Sequence, residues 1–432
     1  MSNAESAPEQ SQVRSLLRLA LLGALVGLPT GLVSFAFISI VHLLEVWMWD
    51  DLPLLLGSHT PPWYLVVGLP VIGGVLVHLA RMLPGDGGAS PLATSHAPHA
   101  TPGQWGVLSV ILAALATLSF GLVLGPEAPL IALGIIVATW LTSWVRMPQL
   151  DRTMVGMSGS AAAMSTLFGG PLVAGLMILE AAAGTPVSIV AVVIPALMSA
   201  SVAYLLITGM GMMSGLPMQG LAVPDLPTYD SVRPIDLVIA VIIGGLGALT
   251  AAMVRLYAGK LAAQEKRIGR LPLLMGGGLA VGLVALAARA LGANSQDVLF
   301  SGQAAMSPLI AQTSAGAVAV LLVAKALAYL ISLGAGFRGG AIFPAIFLGV
   351  AFAQFGVIWT GMSPTVAVAM GTAAGMAAMT RTLLAPVLFA TILTAEAGHD
   401  AVPVAAIAGV AAWLASSWLD SRATAKQSAD AS

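Results

Sequence analysis

Gly125-Pro126-Glu127-Ala128-Pro129 sets a single carboxylate, Glu127, at the head of an apolar run. An ionisable side chain at membrane depth is expensive, roughly 2.5–3.5 kcal/mol on insertion scales, and marks function by default. A second copy of the segment supplies the context. Gly125 through Gly134 aligns without gaps on Gly340-Ala341-Ile342-Phe343-Pro344-Ala345-Ile346-Phe347-Leu348-Gly349, sharing Gly, Pro, Ile, Leu and the final Gly. In each copy a glycine turn delivers the chain into a helix with proline near its start, where the missing N–H costs nothing. Glycine lets a ligand approach the backbone. The bare N–H groups and positive dipole of such a helix start bind anions without a basic side chain. Glu127 corresponds to Ile342 in the second copy. Ionised, the carboxylate occupies the anion's place or repels from it; protonated, it swings away and has carried a proton.

The same offset carries Ala162-Ala163-Met164 onto Ala377-Ala378-Met379 and Pro171 onto Pro386. A duplication over half the chain is expected to give two related halves, about 20–210 and 235–420, with the site where they meet. Composition places both in a bilayer. Hydrophobic residues are 58% of the chain and charged residues 8%, against roughly 25% charged in soluble domains; mean hydropathy is +0.96. Runs long enough to span lie near 18–43, 62–80, 105–124, 128–145, 188–209, 235–257, 272–292, 316–335, 341–360 and 401–419. Shorter pieces near 156–168, 171–184, 364–379 and 383–396 contain Gly or Pro and predict discontinuous helices ending inside the membrane.

The net charge of −1 gives no electrostatic reason to expect nucleic acid. Without cysteine there is no disulfide framework, thiolate chemistry or Cys-ligated metal, and the six His are scattered apart from His96 and His99 in a polar loop. No cofactor is expected. Arg14 and Arg18 before the first span, Arg422 and Lys426 after the last, and Lys260, Lys266, Arg267 and Arg270 in the most basic internal loop predict both termini in the cytoplasm. Residues 1–14 read as a disordered tail, 15–420 as the membrane domain, and 421–432 as a short cytoplasmic tail.

The chain resembles the CLC family of chloride channels and chloride/proton antiporters, in its bacterial type without CBS domains. Gly125-Pro126-Glu127-Ala128-Pro129 is similar to that family's G-x-E-x-P signature, whose Glu is the external gate. Gly339 through Pro344 resembles G-x-F-x-P, whose backbone amides bind the anion, and residues 84–91 resemble the first anion-binding loop, G-S-G-x-P. Pro171 through Glu180 resembles the helix leading to the internal proton site, and Arg381 through Pro386 with Glu396 resembles the stretch before the last helices. The resemblance spans roughly 15–420 and implies an all-α polytopic fold of two inverted repeats with re-entrant helices. It further implies a homodimer in the cell membrane with one pathway per subunit, an anion site at Ala89, Ser90, Ala341, Ile342 and Phe343, and Glu127 as gate.

Several positions depart from the family pattern. The serine position of the first loop falls on Ala89, with Ser90 one step on, and the Phe of the second signature falls one place late, at Phe343. No Tyr follows Tyr329 to close the inner mouth. The antiporters end the Pro171-like helix with two Glu, the second accepting protons; here the pair is Glu180 and Ala181. One residue is a rotation of about 100° on a helix, so Glu180 fits a structural pairing better than a relay, although it is the residue available for one. Lys325, Arg338 and Arg381 lie in or near apolar runs, where anion attraction, snorkelling and pairing are all open.

The expected function is transmembrane passage of small inorganic anions, chloride first, with weak or absent proton coupling. A proton-coupled chloride or fluoride antiporter is the alternative. A more distant one is an inverted-repeat carrier of a cation or organic solute, which would rest on Glu127, Glu180 and Glu396 together. An intramembrane enzyme lacks a nucleophile–base or metal set.

Overall fold

The computed structural model describes residues 6–85, 104–144, 149–183, 188–214 and 223–430. Fourteen helices of ten residues or more occur among them: α1 Ser6–Val46, α2 Trp63–Ala80, α3 Gln104–Leu118, α4 Glu127–Ser143, α5 Gln149–Ser165, α6 Pro171–Ala182, α7 Ile189–Ser214, α8 Pro234–Ala262, α9 Arg270–Ala290, α10 Ala315–Gly334, α11 Ile342–Thr360, α12 Pro364–Thr380, α13 Leu384–Leu393 and α14 Val402–Asp430. Eight apolar stretches among the described residues are long enough to cross a bilayer, while α3, α4, α6, α12 and α13 are shorter apolar helices. The chain is therefore all-α and polytopic, with the discontinuous helices that its broken apolar segments predict.

Three expectations shift in detail. The runs expected to span at 105–124 and 128–145 form helices of only 15 and 17 residues. The chain leaves α3 at Leu118 because Gly121 takes a left-handed turn (φ +83°) and residues 119–126 build the loop before Glu127. These residues are apolar because the loop is buried. At the N-terminus, α1 already begins at Ser6, inside the stretch expected as a tail, since its Ala, Glu and Gln suit helix propagation. At the other end, α14 continues through Asp430.

The described chain forms two compact units. Among the described residues, unit 1 holds 6–40, 130–144, 149–183 and 188–214; unit 2 holds 41–85, 104–129 and 223–430. The boundary does not follow the sequence halves. Residues 41–85 and 104–129 of the first half pack with the second, which brings Glu127 into the same unit as the second motif copy.

Within unit 1, Gly23 and Gly27 of α1 lie against the backbone of Pro195 and Ser199 on α7, one helical turn apart on each partner. Small residues at that spacing let membrane helices approach closely, so packing takes over the cohesive role that water-driven burial plays in soluble proteins. Within unit 2, α11 and α12 form the tightest such pair, Gly349 resting on the carbonyl of Gly371 and Gly375 on that of Ala345. This contact fixes α11, whose first turn belongs to the site. Gly371→Leu is expected to lower stability by about 1–3 kcal/mol through overpacking, because even a Cβ there would meet the backbone of Val350 at 2.5 Å. A drop in the detergent melting temperature checks this; an unchanged melting curve would mean that α11 and α12 can separate freely.

Candidate anion site

The two motif copies meet each other. Gly125 donates its N–H to the Gly340 carbonyl at 2.8 Å, and Gly340 donates its own to the Gly125 carbonyl at 2.5 Å. The result is an isolated antiparallel bridge within unit 2. Immediately after each glycine a helix begins, α4 at Glu127 and α11 at Ile342, with Pro129 and Pro344 each the third residue of its helix. The duplicated sequence thus yields duplicated local geometry.

Glu127 is 1% exposed. Its Oε1 accepts from the backbone N–H of Ile342 at 3.1 Å and of Phe343 at 2.8 Å, and its carboxylate also receives its own backbone N–H. These are orphan donors of α11's first turn, where four N–H groups lack intrahelical partners. Oε2 has no hydrogen-bond partner among the described residues. A Cβ on either Gly125 or Gly340 would collide with this carboxylate, so both glycines are required by the space it fills. Chemically, a negatively charged group is held at a helix N-terminus by backbone donors and the helix dipole, with no basic side chain hydrogen-bonded to it.

The loops bearing the motifs are tied down from several elements. In α10, Ser332 accepts from the Val123 N–H at 3.0 Å, and Tyr329 donates to the Ala341 carbonyl at 2.9 Å. These residues lie three apart on one helix face, each reaching a different motif loop. Thr117 of α3 accepts from the Arg338 N–H at 3.1 Å. Trp49 donates its Nε1–H to the Ser119 carbonyl at 2.9 Å and meets Phe300 edge-on, while Phe300 donates its N–H to the Gly121 carbonyl at 3.3 Å. Irregular backbone at membrane depth is tolerated only where protein satisfies it, and these bonds do so.

Lys325 of α10 is fully buried. Its Nζ donates to the carbonyls of Asp297 and Leu299 at 3.0 and 2.7 Å and stands 4.9 Å from the centre of the Phe347 ring. It does not snorkel; it holds the segment after α9 against α11. Arg338 lies in the loop before α11 and is 6% exposed. Arg381 closes α12 with an ion pair to Asp420 at 2.5 Å. Glu396 is exposed in a short turn after α13.

Of the residues the sequence marks, unit 2 brings together Gly125, Glu127, Pro129, Gly340, Ala341, Ile342, Phe343 and Pro344. Glu180 stands half-buried in the last turn of α6, in unit 1, and engages other groups. Ala89 and Ser90, with His96 and His99, lie outside the described residues. Sequence reasoning missed Thr117, Tyr329 and Ser332. Only the i, i+3 spacing of the last two, which with Lys325 are the polar positions of a largely apolar helix, signals them.

Residues 68–416 match the family described as voltage gated chloride channel. Among curated proteins, the putative ion-transport protein YfeO of Salmonella paratyphi A is 28% identical over 352 residues, covering 79% of this chain and 80% of that protein. Among solved structures, a slow cyanobacterial Cl−/H+ antiporter superposes with a TM-score of 0.74 at 18% identity, covering 93% of this chain and 95% of that one. A CLC-type fluoride/proton antiporter gives 0.72 at 21%, covering 92% and 95%. A eukaryotic CLC transporter gives 0.68 at 16%, covering 93% and 72%. The chain belongs to the voltage gated chloride channel family, and so is a multi-pass membrane protein of the CLC anion-transport type rather than an enzyme.

Proposed function

We propose that this protein passes small inorganic anions, chloride first, through a pathway that Glu127 closes when ionised and opens when protonated. The observation that carries this reading is the carboxylate's seat on the Ile342 and Phe343 N–H groups. Glu127 is the chain's own anion, and the donors that hold it are those a chloride would need. Protonation removes the charge that the helix start favours, so the side chain loses its advantage over a free anion. Transport therefore rises as pH falls. The pathway takes its donors from backbone, which suits a spherical halide and gives an organic solute nothing directional to recognise. Ala89 and Ser90 are the further residues we place along it. One pathway per subunit in a homodimer, with both termini in the cytoplasm, completes the proposal; the basic residues at 260–270 support that orientation.

Coupling to protons is weak or absent in this reading, because Ala181 offers no titratable group next to Glu180. The competing reading is antiport, favoured by the two superposable structures described as Cl−/H+ and fluoride/proton antiporters. In that case Glu180 is the only acidic residue of α6 available as a relay.

Three outcomes are expected in liposomes holding the purified protein. A chloride gradient drives anion flux that increases on acidification, and flux that follows cation gradients regardless of the anion present defeats the reading. Glu127→Gln, which cannot ionise, transports at neutral pH as the wild type does at low pH and loses its pH dependence; a retained pH profile places the titrating group elsewhere. An outward chloride gradient moves no protons uphill. Stoichiometric proton pumping, abolished by Glu180→Gln with chloride flux retained, establishes antiport instead.

A further inference from the structure

We propose that Arg255 and Arg381 form a second anion-binding site in unit 2, made of side chains other than those at Glu127's helix start. The inference rests on the anion-pathway reading and extends it to a different set of groups. Arg255 lies on α8 and Arg381 ends α12. The two oxygens of one carboxylate, Asp420 on α14, face them: Oδ2 is 2.5 Å from Nη2 of Arg381, and Oδ1 is 4.0 Å from Nη2 of Arg255. Two guanidiniums against one carboxylate leave the trio one positive charge in excess.

The hydrogen bonds are also incomplete. Arg255 Nη1 donates to the Ala378 carbonyl at 3.2 Å and touches the Met379 sulfur at 3.9 Å. Its Nη2, at 4.0 Å from Asp420, is beyond hydrogen-bond reach. That atom and Nη1 of Arg381 are buried without a hydrogen-bond partner among the described residues. Buried charged donors without acceptors are costly, and guanidinium forks suit planar or spherical anions.

Backbone geometry adds an independent sign. Arg381 takes φ +62°, the left-handed conformation in which a helix is usually closed by glycine. An arginine there is strained. The position is nonetheless held by the bond from Trp413 Nε1 to its carbonyl at 3.1 Å, which fixes the origin of the guanidinium. The strain is thus maintained by a side chain of α14, the helix that also carries Asp420.

A cavity lies beside this pair. Its lining includes Val254 and Met379, whose sulfur Arg255 touches, together with Gly349, Gly375, Tyr329 and Ala345. Tyr329 donates to Ala341, the residue just before the N–H groups that hold Glu127. The lining of this one cavity thus includes both the methionine that Arg255 touches and the tyrosine that steadies the start of α11. Asp420, 56% exposed, then plays toward Arg255 and Arg381 the part that Glu127 plays toward α11: an internal carboxylate that a free anion displaces.

The test uses the full chain in neutral phosphatidylcholine liposomes, with bromide as the probe for crystallography and chloride for flux. Asp420→Asn, a change at an exposed position, is expected to lower the half-saturating chloride concentration about threefold to tenfold. It should also give anomalous bromide density between the two guanidiniums. Arg381→Gln is expected to raise that concentration, and Arg255→Gln in the Asp420→Asn background to cancel the gain. No bromide density and no shift in Asp420→Asn overturns the proposal even if the arginine variants fail to fold. Density that appears only as a headgroup phosphate, after phosphatidylglycerol is added, overturns it in favour of lipid. Bromide at the arginines with pH-independent wild-type flux would instead retain this site and refute the Glu127 gate.

Discussion

A helix that begins in the middle of a membrane domain must find acceptors for the N–H groups of its first turn, and much else in unit 2 follows from how α11 does so. Two of those donors are taken by Glu127, a side chain from the opposite half of the sequence. The pairing stabilises the helix start most while the acceptor is negative, so structural satisfaction and anion binding draw on the same donors. Gly125 and Gly340 are consequences of it, because any side chain at either place would take the carboxylate's volume. The supporting bonds from Thr117, Tyr329 and Ser332 are consequences too: a loop that presents bare donors has to be rigid, or water and lipid headgroups would compete for them.

Much of this was legible in the residues because duplication writes the same constraint twice. The order of helices, the broken segments at 171–184 and 383–396, and the Gly–Glu–Pro and Gly–Ile–Pro copies all follow from hydropathy and helix-start chemistry. Hydropathy misleads at 119–126, where buried loop and buried helix are equally apolar; only Gly121 and the motif itself distinguish them. It is silent on Lys325, whose partners are main-chain carbonyls 26 and 28 positions earlier. Main-chain acceptors carry no side-chain signature for a sequence reader to find. The partner of Glu127 is likewise invisible to any rule of local spacing, since it lies 215 positions away; the repeat hints at it by showing that two helix starts exist.

Charge inside unit 2 is handled in two ways. Lys325 is fully caged by carbonyls and an aromatic face, so it is fixed. Glu127 is left with one unpartnered oxygen, and the Arg255–Arg381 pair with two unpartnered nitrogens, so they can exchange partners. Burial alone does not separate the two kinds, because Lys325 and Glu127 are equally inaccessible. The count of satisfied donors and acceptors does.

The mutual bonds between Gly125 and Gly340 are isologous: each residue gives the other one donor and one acceptor. Two separate, identical chains can make such a contact about a two-fold axis. An ancestral half-length protein inserted in both orientations would therefore have formed the same bridge as a dimer. It could not have formed today's site, since symmetry would have placed either two carboxylates or none beside the axis. Two facing carboxylates repel and share a proton, and none leaves the donors without a resident acid. Within one chain the two copies are free to differ, and the Glu127/Ile342 difference is an asymmetry that a dimer of identical halves could not have.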